Sequence, residues 1–162
     1  VFVSEEAVLG VIEVKSSIDR GEFRGALSKL ADIGEGFSTR TKLPILGLFS
    51  YDKRANPDSW FREEIPEICN SFKRRIDLIN VGCSHFVKWW DFDPSQPNAE
   101  HATDSVYSKW HSYKLINMSA GYFLANVIDL VSEGLVSKSS SIWFPREGKE
   151  GIPGKQIIEP NF

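Results

Sequence analysis

Residues 10–17 read GVIEVKSS, and the placement of that stretch decides the fold. An apolar, β-branched run enters it and is interrupted by Glu13 and Lys15. A short run of this kind reads as a strand. Side chains alternate across a strand, so Val11, Glu13 and Lys15 share one face, and Ile12 and Val14 turn the other way, toward the expected core. Two opposite charges are then neighbours near the C-terminal end of the strand, where open α/β sheets collect ligands. A carboxylate is a hard oxygen donor for Mg²⁺. An ammonium beside it can orient a water or neutralise charge building on a phosphate. The same pair is also an ordinary ion pair of a sheet edge, worth about 0–1 kcal/mol.

The sequence on the C-terminal side sets the context. DRGE (19–22) has the Asp-x-x-Glu form of a capping box. Phe23, Leu27 and Leu30 follow on one helix face, and Gly34 or Gly36 is expected to end that helix in a left-handed cap. LPILGLFSY (43–51) reads as a second, buried strand. NPDSW (56–60) opens a second helix, with Asn56 as cap and Pro57 in the first turn. Trp60, Phe61, Ile65, Ile68 and Phe72 give it an apolar side, and Pro66 is expected to kink or split it. IDLINVG (76–82) and HFVKWWDF (85–92) read as a hairpin around Gly82–Ser84. DPSQPNAEHATD (93–104) is a loop.

A long helix is expected from Ser108 to Glu133, with Trp110, Tyr113, Ala120, Leu124, Ile128 and Val131 inward and Gly134 as its stop. SSIWF (140–144) reads as a last strand, and the Gly- and Pro-rich end as an irregular tail. The organisation is one α/β domain over residues 1–145 and a tail over 146–162. Strands alternating with helices imply a mixed sheet with helices packed on it.

The bulk numbers narrow the function classes. A chain of 162 residues, 41% apolar and 25% charged, is long enough for one soluble domain with a real core. A net charge of −3 excludes a globally basic nucleic-acid binder, so any such contact must use local charge. Arg54, Arg62, Lys73, Arg74 and Arg75 are the candidates, with a solvated helix face as the plainer reading. Cys69 and Cys83 lack disulfide-scaffold or metal-ligand spacing and read as buried thiols of a reducing, cytoplasmic compartment. No apolar run reaches the roughly 20 residues of a membrane span. VFVSEEAVLG (1–10) has no basic n-region, so it is not a signal peptide. A start at Val1, without Met, reads as a piece of a longer polypeptide or as a chain that has lost its N-terminus, and further domains of that chain or a homo-oligomer are the expected protein partners.

AVLGVIEVKSSIDRGEFRGALSKL (7–30) resembles the central strand and following helix of the PD-(D/E)XK nuclease superfamily. It is most similar to a bacterial branch in which a V-x-x-V-I-E-V-K-S block precedes a helix. The resemblance is close over residues 3–33 and rests on element order as far as residue 133. It implies a restriction-endonuclease-like mixed sheet flanked by helices. It also implies Mg²⁺- or Mn²⁺-dependent hydrolysis of a phosphodiester, with DNA as the substrate and bacterial defence as a context. In that family the E-x-K pair is catalytic, so Glu13 would hold the metal and Lys15 would be the catalytic lysine. The carbonyl of Val14 would complete the metal shell. A second acid, the Asp of the PD half-motif, belongs on the preceding strand. This sequence has no Asp before Glu13; Glu5 and Glu6 are its only upstream acids. Either the Asp lies before Val1, or Glu6 takes its role, or the site is degenerate and binds nucleic acid or a protein without cutting.

Other constellations carry less. His85, His101 and His111 are scattered, and solvated or capping roles suit them better than a metal site. Ser16 is placed to touch a phosphate or to bond at the helix entry. SYDKR (50–54) puts Lys53 and Arg54 at the end of the second strand, as a DNA-groove wall or as a polar turn. Trp89 and Trp90 are imaginable as base-stacking platforms, and strand packing accounts for them more simply.

Overall fold

The computed structural model describes residues 5–90, 109–132 and 156–158. A short 3₁₀ turn, Glu5–Ala7, leads into β1 (Gly10–Ile18), α1 (Arg20–Gly36), β2 (Ile45–Lys53) and α2 (Asp58–Phe72). Next come β3 (Leu78–Val81), β4 (His85–Trp90), β5 (Lys109–Lys114), α3 (Ser119–Val131) and β6 (Gln156–Ile158). The six strands form one mixed sheet whose spatial order follows the sequence, β1 to β6. β1, β2 and β3 run parallel through the two helical crossovers, and the remaining pairs are antiparallel.

Helices cover both faces of this sheet. α1 and α2 pack over the larger core, built on Phe23, Leu27, Leu30, Leu48, Phe61, Ile65 and Trp110. α3 covers a smaller cluster of Leu78, Phe86, Tyr113, Leu115 and Phe123. The expected α/β class therefore holds. No helix among the described residues is long and apolar enough to cross a membrane.

The β1–α1–β2 unit forms as its local chemistry dictates. The capping box is present: the Asp19 side chain accepts from Glu22 N–H at 2.9 Å, and Glu22 Oε2 accepts from Asp19 N–H at 3.0 Å. The expected left-handed cap is not. α1 ends at Phe37, whose φ is −95°. Gly34 instead serves packing, because a Cβ there would stand 2.6 Å from Leu46 Cδ1. The helix can lie this close to β2 only without a side chain at that point.

α2 runs through Pro66 as one helix. Burial against the core outweighs the hydrogen bond that Pro66 cannot donate. Its Glu64 is 3% exposed and lies between Arg20 and Arg24 of α1, with Arg20 at 2.7 Å. This places the buried charge on the glutamate, while both arginines stay half in water. Replacing both arginines with alanine strands a buried carboxylate, whereas Glu64→Gln leaves only a neutral amide N–H facing an arginine donor, a smaller penalty. The double arginine variant should therefore melt below Glu64→Gln in a calorimetric scan. The reverse order would show that the Glu64 carboxylate does not depend on the two arginines for its charge.

Several sequence expectations are corrected here. β1 lies at the sheet edge among the described residues, not in its centre. Ile12 and Val14 are 39% and 55% exposed, not core. α3 packs chiefly on β3 and β4 and leaves Ile12 and Val14 of β1 largely open to solvent. The core-facing side of β1 is the one that carries Val11, Glu13 and Lys15.

The expected helix from Ser108 is instead strand β5, a turn in which Asn117 takes φ 57°, and then α3. Trp110, Tyr113 and His111 belong to that strand. On α3 the buried residues are Ser119, Phe123 and Asn126, while Leu124, Ile128 and Val131 are exposed. Residues 156–158 of the expected irregular tail pair with β5. Cys69 is buried, and burial pushes its thiol up to about 12, but Cys83 is exposed in the β3–β4 turn. The loop expected at 93–104 and the strand expected at 140–144 lie outside the described residues.

Candidate functional site

Glu13 is the fourth residue of β1 and Lys15 the sixth, so the pair sits in the middle of the strand rather than at its end. Their side chains share the face that α1 crosses. Lys15 Nζ lies 3.1 Å from Glu13 Oε1. A third group joins them from the helix: Lys29 Nζ donates to Glu13 Oε2 at 2.8 Å. The Glu13 side chain is 18% exposed, against 36% for Lys15 and 60% for Lys29. The Lys29 hydrogen bond, followed by that of Lys15, holds the Glu13 carboxyl below its ordinary range. Glu13 is therefore a fixed anion at neutral pH, with one ammonium on each oxygen.

Lys29 was invisible in the sequence. It lies 16 residues from Glu13, and only the crossover geometry of β1–α1 brings the two together. A polar position on an amphipathic helix gave no hint of it.

The other expected site residues scatter. Val14 points its side chain to the uncovered face, and its carbonyl belongs to the edge strand. Ser16 is exposed on that same strand. Glu6 lies in the 3₁₀ turn ahead of β1, where its carbonyl and that of Val8 accept hydrogen bonds from Arg40. The parallel register does put Lys53 and Arg54 at the same sheet end as the close of β1, since Ile18 pairs with Lys53. Arg54 is spent on Asp19 at 3.2 Å and Glu22 at 3.4 Å, which clamps the start of α1. No group of three or more His, Cys, Asp or Glu side chains suited to a metal occurs among the described residues.

Lys53 enters a second polar cluster at that sheet end. Its Nζ lies 3.1 Å from His85 Nδ1, and Ser84 Oγ lies 2.9 Å from the same nitrogen. Asp58 Oδ1 is 3.5 Å from His85 Nε2, and Lys114 bonds Asp58 Oδ2 at 2.6 Å. An ammonium can only donate, so Nδ1 is the acceptor and the His85 proton sits on Nε2, facing Asp58. Ser, His and Asp thus stand in a row, but the lone pair needed to activate Ser84 is already committed to Lys53. Burial, and then the Lys53 charge, push His85 down to about 4, which also makes it a poor base.

This cluster gives the fold a pH dependence. The unfolded chain takes up a proton on His85 near its ordinary value of about 6.5, while the folded chain resists until about pH 4. Between those limits the unfolded state binds more protons, so stability falls as pH falls. The contribution is complete above about pH 6.5 and amounts to roughly 3 kcal/mol by linkage. Urea unfolding at pH 7.5 and pH 4.5 should show this loss, and His85→Gln should flatten it. An unchanged slope in the variant would assign the effect to other groups.

Comparison of the chain with protein-family models, with curated proteins and with solved structures returns no match in any of the three.

Proposed function

We propose that this chain is a nuclease domain of the PD-(D/E)XK type that hydrolyses phosphodiester bonds in DNA with Mg²⁺ or Mn²⁺. The observation that carries the reading is the Glu13–Lys15 pair, 3.1 Å apart on the helix-covered face of the first strand of a parallel β–α–β unit. A restriction-endonuclease-like sheet is part of the same proposal, and so is a cytoplasmic, bacterial setting.

The donor chemistry suits a hard cation in kind but not in number. Glu13 is an ionised oxygen donor, and the Val14 carbonyl on the open edge strand is a second oxygen. Mg²⁺ gives up its hydration shell reluctantly and wants more carboxylate charge than one Glu supplies. Glu6 is the acid this sequence offers for that role. A cation held here would supply an activated water and charge neutralisation. Lys15 would orient the attacking water or stabilise the charge that builds on the phosphate oxygens. Lys29 would hold the Glu13 carboxylate in its rotamer and keep it ionised.

One observation favours the alternative, a domain of the same fold that binds nucleic acid without cutting it. Both Glu13 oxygens are already engaged by lysines, so a metal would have to displace at least one of them. Conversion of supercoiled plasmid to nicked and linear forms separates the two readings. Cleavage in Mg²⁺ or Mn²⁺ that stops in EDTA supports the nuclease. DNA retention without any cleavage in either metal supports the binding module.

A further inference from the structure

A cavity of about 510 Å³ opens at the other end of the parallel strands, below α1 and beside the loop that joins α2 to β3. Four cationic residues line it, Lys42, Lys73, Arg74 and Arg75, against one acid, Asp77. This is a dense local positive charge on a chain whose net charge is −3. Asp77 is ion-paired with Arg75, so it offsets one of the four cations, and its carboxylate is built into the wall. Its Oδ2 accepts the Leu46 N–H at 2.8 Å, and its Oδ1 meets Arg75 Nε at 2.9 Å.

Arg74 is the unexplained group. Its stem runs past Gly34, where an added Cβ would stand 3.8 Å from Arg74 Cδ. Its Nε is buried and has no hydrogen-bond partner among the described residues. That nitrogen is closed off from the cavity, so an anion would meet this half-buried guanidinium through its terminal amines, and Nε marks a side chain that no described group of the protein's own has claimed at that atom. Lys73, just before Arg74 in the chain, also lines the cavity, exposed and held in a left-handed conformation (φ 51°) as the C-cap of α2. Apart from Thr41 the remaining wall is largely apolar, with Leu43, which is 42% exposed, Pro44, Trp89 and Leu130.

We propose that this cavity binds a phosphomonoester of nucleotide size, with its phosphate on Arg74 and Lys73 and its apolar part against Leu43 and Trp89. A phosphate presents acceptor oxygens enough for a guanidinium fork and a neighbouring ammonium at once, and its charge at neutral pH exceeds that of a single carboxylate. The volume lies in the range of small-ligand sites, roughly 300–1,000 Å³. Nothing here depends on Glu13, which lies on another strand and outside this cavity.

The test is calorimetric titration of the protein in EDTA, so that metal chemistry cannot contribute. AMP should bind at least tenfold more tightly than adenosine or inorganic phosphate. Arg74→Gln should weaken AMP at least tenfold and Lys73→Gln severalfold. Lys73 is a surface side chain, so its variant keeps the test open if Arg74→Gln folds poorly. A 5′-phosphorylated oligodeoxynucleotide resolves the source of the phosphate. Tighter binding than AMP assigns the site to a nucleic-acid end, and weaker binding assigns it to a free nucleotide; both support the site. No binding of either phosphate ligand at millimolar concentration would overturn it. So would AMP affinity that equals that of phosphate or survives in both variants.

Discussion

Glu13→Gln and Lys15→Ala should each lower Mg²⁺-dependent cleavage of plasmid DNA by at least about 100-fold, the scale on which removal of one preorganised charged group acts. Glu13→Gln keeps the shape of the side chain and removes the anion a metal needs. Lys15→Ala removes the ammonium that lies 3.1 Å away and leaves the strand intact. Both side chains reach solvent, so melting temperatures should stay within a few degrees of wild type, as for most surface substitutions. Lys29→Ala should behave differently. It frees Glu13 Oε2 from its 2.8 Å partner and removes no group that faces the phosphate, so it should keep at least a tenth of the activity. If the Glu13 and Lys15 variants both cut as well as wild type, the pair is only an ion pair and the nuclease proposal fails.

Trp110→Ala should produce the largest loss of stability of any single change considered for this chain, about 3–5 kcal/mol. Trp110 is fully buried in β5, its ring centroid 4.4 Å from that of Trp89. Its Nε1–H donates to the Ile76 carbonyl at 2.8 Å, which ties β5 to the entry of β3. Trp110→Phe separates the two contributions. It keeps much of the apolar bulk and leaves the Ile76 carbonyl buried without that donor, a loss of about 1–3 kcal/mol. In thermal melts of a chain this size the alanine change should lower Tm by about 6–20 °C, at roughly 2–4 °C per kcal/mol. Equal losses in the two variants would mean that the hydrogen bond, not the packing, carries Trp110.

The parts of the fold that were legible are those where local signals agree. Asp19 and Glu22 mark a helix start by their own side-chain chemistry, and the structure has both bonds of the box. Gly82, at φ 65°, marks the β3–β4 turn because few other residues adopt that backbone shape. Misreading began where two periods overlap. Trp110 and Tyr113 are three residues apart and line up with a helix, but Trp110 and Ser112 are also two apart, and both are buried in a strand. Asn117 was the signal for the break, since Asn tolerates the left-handed region. Faces were harder still. Which side of β1 is buried depends on how far α3 reaches across the sheet, and α3 is a hundred residues away. The E-x-K pair was legible as a pair, but Lys29 and the His85 cluster were not, because they are assembled by tertiary contacts alone.

The sheet order has a kinetic consequence. Every described strand lies beside its immediate neighbours in the chain, so Gly10 meets Ile45, Gly47 meets Leu78, and Val81 meets His85. Each strand docks on the one made just before it, but the joining segments are long, 35 residues from Gly10 to Ile45 and 48 from Trp110 to Ile158, so each pairing must first close a loop, which slows it. A chain that emerges from the ribosome N-terminus first can close β1 on β2 while β4 is still being made. Each later strand then adds to an edge already in place. The sheet can grow in the direction of synthesis, each newly laid edge standing open only until the next strand arrives.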